Sequence, residues 1–141
     1  MNPNSENDSP SFLPSQWLSH AESDLRIARL GAGDPAIFKE QVCFHAQQAA
    51  EKSLKAVLLS RKIDFPYTHD IKGLLRIAET NGFSISPNIK QAAMLTPYAV
   101  ETRYPGYWPV ITDSDVNEAL HIAEQTILWA KTIIATGGDI K

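Results

Sequence analysis

The chain predicts an all-α fold, an antiparallel up-and-down four-helix bundle with an additional short helix. Three observations carry that prediction. Apolar residues recur at spacings of three and four through most of the 141 residues, which is the period of helices that bury one face. The periodic stretches are punctuated by Gly31 and Gly33, Asp34-Pro35, Asn81-Gly82, Ser86-Pro87 and Thr112, residue types that stop and start helices. No strand-like alternation of useful length and no internal repeat interrupts them.

Residues 1–14 are rich in Asn, Ser, Asp and Pro, bury too little apolar surface to offset the entropy of ordering, and predict a disordered tail. Residues 15–136 then form one helical domain. The first helix places Trp17, Ala21, Leu25 and Ala28 on one face, with Ser15 as cap and Gly31 and Gly33 as stop. Asp34-Pro35 opens a long second helix, since a proline in the first turn gives up no hydrogen bond. Its apolar face runs Phe38, Val42, Ala46, Ala49, Ser53, Val57. Thr68 or Asp70 caps a short third helix carrying Ile71, Leu74, Leu75 and Ala78, ended by Asn81-Gly82. A fourth helix from Ser86-Pro87 keeps the spacing Ile89, Ala93, Thr96, Val100 through Pro97. An interior proline costs about 3 kcal/mol, so a kink or restart is expected at Thr96-Pro97. Arg103 to Ile111 reads as a loop. The last helix starts at Thr112 and Asp115, spaced as a capping box, holds Val116, Ala119, Ala123, Ile127, Ala130 and Ile134 inward, and stops at Gly137-Gly138.

A chain of this length suits one domain. Its 43% hydrophobic and 21% charged content excludes a disordered or collagen-like class. The net charge of -3 argues against strong nonspecific binding to phosphate backbones, so any nucleic-acid role rests on a local patch. The single cysteine, Cys43, excludes an intrachain disulfide and a thiolate zinc cluster. Between Val42 and Phe44 it reads as a small buried hydrophobe. No apolar run reaches the ~18 residues of a membrane span, and the N-terminus lacks a basic region followed by an apolar one. A reducing cytoplasm is the expected setting.

Gln41, His45, Gln48, Lys52 and Lys55 recur at spacings of four, three, four and three, and therefore form one polar ridge along the second helix. Amides and imidazoles both donate and accept hydrogen bonds, which suggests a face that contacts something. A dimer interface would use such groups equally well. Lys52 and Lys55 also read as solvated cations, with Glu51 one turn before Lys55.

Three phrases carry a family resemblance: Phe44-His45-Ala46-Gln47-Gln48-Ala49-Ala50-Glu51-Lys52, Tyr67-Thr68-His69-Asp70-Ile71, and the stretch from Leu95 through Arg103-Tyr104-Pro105. With Trp17 to Ala28 and the Ala-rich last helix, they resemble the HEPN domain family over Gln16 to Ile134. The resemblance implies a small helical bundle, often dimeric, tied to nucleotides or RNA. It implies a module working with a minimal nucleotidyltransferase in a toxin-antitoxin-like pair, without a cofactor. Many members that cut RNA have Arg followed four to six residues later by His. Here Arg103 is followed by Tyr104-Pro105-Gly106-Tyr107-Trp108, and the next histidine is His121.

The expected ligand contacts are therefore Gln48, Lys52, Lys55, Arg103 and Tyr104. Arg103 suits bidentate phosphate binding, and nearby aromatics offer stacking faces; the alternative has Arg103 paired with Glu101 and the aromatics covering the bundle's end. Catalytic candidates are Arg103, His69 and His45, because imidazole titrates near neutrality; the plainer alternative leaves both histidines hydrogen-bonded in structural roles. Metal binding is not expected, since no His-x-x-x-His or comparable pairing occurs. Besides the nucleotide or RNA module, two functions stay open: a metal-independent ribonuclease toxin using Arg103 and a non-standard histidine, and a non-catalytic dimeric scaffold.

Overall fold

The computed structural model describes residues 13–99 and 110–136, all of them helical or connecting. Three long helices dominate: α1 (Pro14–Ala32), α2 (Lys39–Ser60) and α5 (Asp113–Ala135), with α3 (Ile71–Thr80) and the single turn α4 (Pro87–Lys90) between the last two. A 3-10 segment, Gln91–Ala99, follows α4 directly. Helix α2 lies at the centre and packs against α1, α3, α5 and the 3-10 segment.

Helix α1 begins at Pro14, one residue before the expected cap. Its first orphan donor is satisfied by Gln16, whose Oε1 accepts from Leu13 N at 2.7 Å, so a glutamine reaching back takes the role expected of Ser15. Gly31 lies inside the helix, not beyond it. A Cβ there would meet Ile37 Cγ2 and Val42 Cγ2 at 3.1 Å each, so its role is close approach to α2. Ion pairs of Glu22 with Lys131 and of Arg29 with Glu124 show that α1 and α5 run antiparallel. Both pairs are half exposed and each contributes about 0–1 kcal/mol.

Asp34-Pro35 makes a turn, with Asp34 Oδ1 accepting from Ala36 N at 2.9 Å, and α2 starts only at Lys39. Phe38 is its N-cap and largely exposed, against expectation, while Val42, Ala46, Ala49, Ser53 and Val57 are buried as expected. Cys43 is fully buried, and burial pushes its thiol up to about 11, against the opposing hydrogen bond with Tyr98. Two helices end in the same way. Phe83 N donates to Ala78 O and Gly82 N to Glu79 O, with Gly82 at φ 97°, the αL geometry glycine accepts freely. Ile63 N donates to Leu58 O and Lys62 N to Leu59 O, but here Lys62 takes φ 58°, at a cost of about 1–2 kcal/mol.

Asp70 is the N-cap of α3 without a side-chain bond of its own, and Thr68 Oγ1 accepts from Asp70 N at 3.0 Å. Ile71 N instead donates to Thr96 Oγ1 at 3.1 Å, a cap supplied from the 3-10 segment. That segment is the main departure in the fold: the expected long fourth helix is one α turn and nine residues of 3-10 helix around Pro97. Proline removes a donor from the α ladder and so accounts for the break at its own position; nothing in the sequence explains the early start at Gln91. For α5 the expected box is present, with Asp115 N donating to Thr112 Oγ1 (3.1 Å) and Thr112 N to Asp115 Oδ2 (2.9 Å). Such a cap is worth about 1 kcal/mol. Val116, Ala119, Ala123, Ile127 and Ala130 are buried and Ile134 partly so. The expected stop at Gly137-Gly138 and the tail before Leu13 lie outside the described residues.

Candidate functional site

The polar ridge of α2 changes character along its length. Gln41 is exposed, His45, Gln48 and Lys52 are half-buried, and Lys55 is buried. At its outer end Gln41 and His45 line a groove of about 370 Å³ whose walls are Ile27, Leu30, Ile37 and Val42. At the inner end the ridge passes beneath the connection from α2 to α3.

Two buried carboxylates organise it. Asp24 of α1 faces α2, where its Oδ1 lies 3.0 Å from His45 Nδ1 and its Oδ2 accepts from Lys52 Nζ at 2.7 Å. Glu51 of α2 accepts from Lys55 Nζ at 2.8 Å through Oε2 and from Gln47 Nε2 at 2.9 Å through Oε1, and that same Oε1 lies 2.9 Å from His69 Nδ1. Each carboxylate thus holds one ammonium and one imidazole. Lys55 and Glu51 are only 5% and 4% exposed. The Lys55 ammonium sits 5.7–5.8 Å from the ring centres of Trp17, Phe65 and Tyr67, close enough for cation–π attraction. Tyr67 also meets the His69 ring edge-on at 5.8 Å.

Burial pushes the Glu51 carboxyl up. The hydrogen bonds from Lys55 and Gln47, the charge of Lys55 and the His69 contact outweigh burial and hold it below its ordinary 4.5. A carboxyl that is more acidic folded than unfolded adds stability above its unfolded value and loses it as pH falls through the folded one. Acid titration followed by helical circular dichroism is therefore expected to show Glu51-dependent loss of stability only below about pH 4.5. A Glu51→Gln chain with the same acid profile as the wild type would contradict this.

Lys52 and Lys55 are both committed to carboxylates, so neither is a free cation for a phosphate. Gln48 keeps a buried Oε1 without a hydrogen-bond partner. Arg103 and Tyr104, and with them Glu101, Tyr107 and Trp108, lie outside the described residues. Among the described residues no three His, Cys, Asp or Glu side chains converge as a metal site requires, and no helix is long and apolar enough to cross a membrane.

Spacing along α2 does not reveal Asp24, because it belongs to another helix. Its signal is in the sequence nonetheless: a carboxylate between Ala21 and Ala28 at spacings of three and four occupies the buried face of α1. Glu51 is legible only as the partner of Lys55, one turn away.

A HEPN domain model matches residues 14–133. The chain belongs to the HEPN family. Two solved structures share its fold at 28% identity each: ST0689, an archaeal HEPN homologue, with a TM-score of 0.71 over 88% of this chain and 99% of that one, and TT1696 from Thermus thermophilus, with a TM-score of 0.73 over 84% and 96%. No curated protein matches. The matched region of this HEPN chain contains Asp24, the whole α2 ridge and His69.

Proposed function

We propose that this HEPN protein is a nucleotide- or RNA-associated helical module, a cytoplasmic homodimer that works with a minimal nucleotidyltransferase in a toxin-antitoxin-like pair. One observation carries the ligand part: at the inner end of the ridge the partly exposed imidazole of His69 meets Tyr67 edge-on, and Tyr67 is the most exposed large apolar residue among the described residues, at 92%. An aromatic face free to stack on a base, next to groups that hydrogen-bond in both directions, suits single-stranded RNA or a nucleotide. Because the ridge lysines are neutralised by Asp24 and Glu51, the phosphate contact in this reading falls to Arg103, with Tyr104 beside it. The assembly part is supported by exposed Leu30 and Phe38 near the outer groove, apolar surface of the kind a protein partner covers.

Fluorescence anisotropy with a short labelled single-stranded RNA tests the ligand part. Tyr67→Ala and Arg103→Ala are each expected to weaken binding about tenfold, the lower part of the ~1–3 kcal/mol that one stacked base contributes. Absence of binding, or wild-type affinity in both variants, leaves the scaffold reading. The ribonuclease reading is favoured by one feature, the orientation of both imidazoles by carboxylates, which suits proton transfer. It requires that induced expression arrest growth and that Arg103→Ala abolish the arrest.

A further inference from the structure

We propose that Asp24 and Glu51 are positioning residues that hold His45 and His69 as Nδ1–H tautomers, so that both imidazoles present a bare Nε2 as proton acceptor to the ligand of the ridge. The ligand this fits carries an O–H or N–H donor, such as a ribose hydroxyl. That last clause rests on the RNA reading above, and the tautomers do not.

A carboxylate oxygen only accepts. Asp24 Oδ2 is occupied by the Lys52 ammonium, and Oδ1 lies 3.0 Å from His45 Nδ1, so that nitrogen carries the hydrogen. At Glu51 the ammonium of Lys55 takes Oε2, and the Gln47 amide and His69 Nδ1 both meet Oε1 at 2.9 Å, which forces the same assignment. Each carboxylate already has a lysine to balance its charge, so neither imidazole has to be an imidazolium for the site to be neutral. In a neutral ring the one N–H is spent on the carboxylate, and the lone pair stays on Nε2. That is the reverse of the tautomer free imidazole prefers in water.

The side chains of His45 and His69 are 27% and 37% exposed while their carboxylates are nearly closed off. Since Nδ1 points inward in both, the edge reached from outside is the one bearing Nε2. Among the described residues, the polar and aromatic groups around the rings include Lys52, Phe44, Gln41 and the Asp34 carboxylate for His45, and Lys55, Gln47 and Tyr67 for His69. None of the charged ones is free to donate to Nε2, because both ammonium groups are held by the carboxylates.

Long-range proton–nitrogen correlation spectra of the ligand-free protein read the tautomer directly, recorded about two units above the ordinary imidazole value of ~6.5. His45 and His69 are expected to give the Nδ1–H pattern. In Asp24→Asn the Lys52 ammonium claims the amide oxygen and turns the amide N–H toward Nδ1, so His45 is expected to switch fully to Nε2–H; Glu51→Gln is expected to do the same to His69. An Nε2–H pattern at either ring in the wild-type chain overturns the proposal, and this holds even where a variant fails to fold. Short single-stranded RNA is then added to the wild type. Binding that moves the Nε2 resonances supports the ligand-facing role, and binding that moves neither overturns it. An RNA that does not bind counts against the proposed function alone, because the tautomers are measured without it.

Discussion

Glu51→Ala is expected to lower the free energy of unfolding by about 3–5 kcal/mol, the range found when one partner of a buried ion pair is removed. The substitution strands more than one group. Lys55 keeps its ammonium at 5% exposure among the rings of Trp17, Phe65 and Tyr67, and those rings supply only about 0.5–2 kcal/mol of cation–π attraction. Gln47 Nε2 and His69 Nδ1 lose the same acceptor, and the link from α2 to the connection before α3 goes with it. Urea unfolding of wild type and variant measures the loss. Removing both charges, as in Glu51→Leu with Lys55→Met, is expected to recover only the part due to the stranded ammonium, because an apolar pair of similar volume carries no desolvation cost while Gln47 Nε2 and His69 Nδ1 still lack their acceptor. A single variant within about 1 kcal/mol of the wild type would show that the pair is solvated in solution.

Leu54→Ala is expected to cost about 2–5 kcal/mol with little change in the urea slope. Leu54 is fully buried on α2, the helix that every other main element packs against. Truncation therefore removes apolar area and leaves a cavity whose walls belong to several helices and close in only partly. Met94 supplies the control. It is more than half exposed on the 3-10 segment, so Met94→Ala is expected within about 0.5 kcal/mol of the wild type. Equal costs at the two positions would mean that α2 is not the centre of the core.

The long helices were legible because their evidence is local. The inward faces of α1 and α5, the capping box at Thr112 and Asp115, and the Gly82 stop of α3 each depend on residues within one or two turns of one another. Phe38 and Asp34-Pro35 misled for the same reason. A good cap-proline pair is equally a turn, and whether the helix starts there depends on what packs against it. The 3-10 path of Gln91–Ala99 was legible at Pro97 and not before. For the candidate site the ridge itself could be read from spacing, whereas its exposure could not. Lys55 looked like a surface cation and is buried, because Trp17 from α1 and Phe65 from the following connection close over it.

From its residues alone this chain specifies helices, their buried faces, most of their ends and its HEPN membership, since periodicity and capping act over three to five residues and family phrases are contiguous. The folded chain adds the partners that lie far apart: Asp24 with Lys52, 28 residues on, Glu51 with His69, 18 residues on, and Ile71 with Thr96, 25 residues on. Those contacts form only when packing brings separate elements within about 3 Å, a distance no pattern along one helix encodes. They turn a stripe of polar side chains into two neutralised carboxylate centres, each with an imidazole facing out.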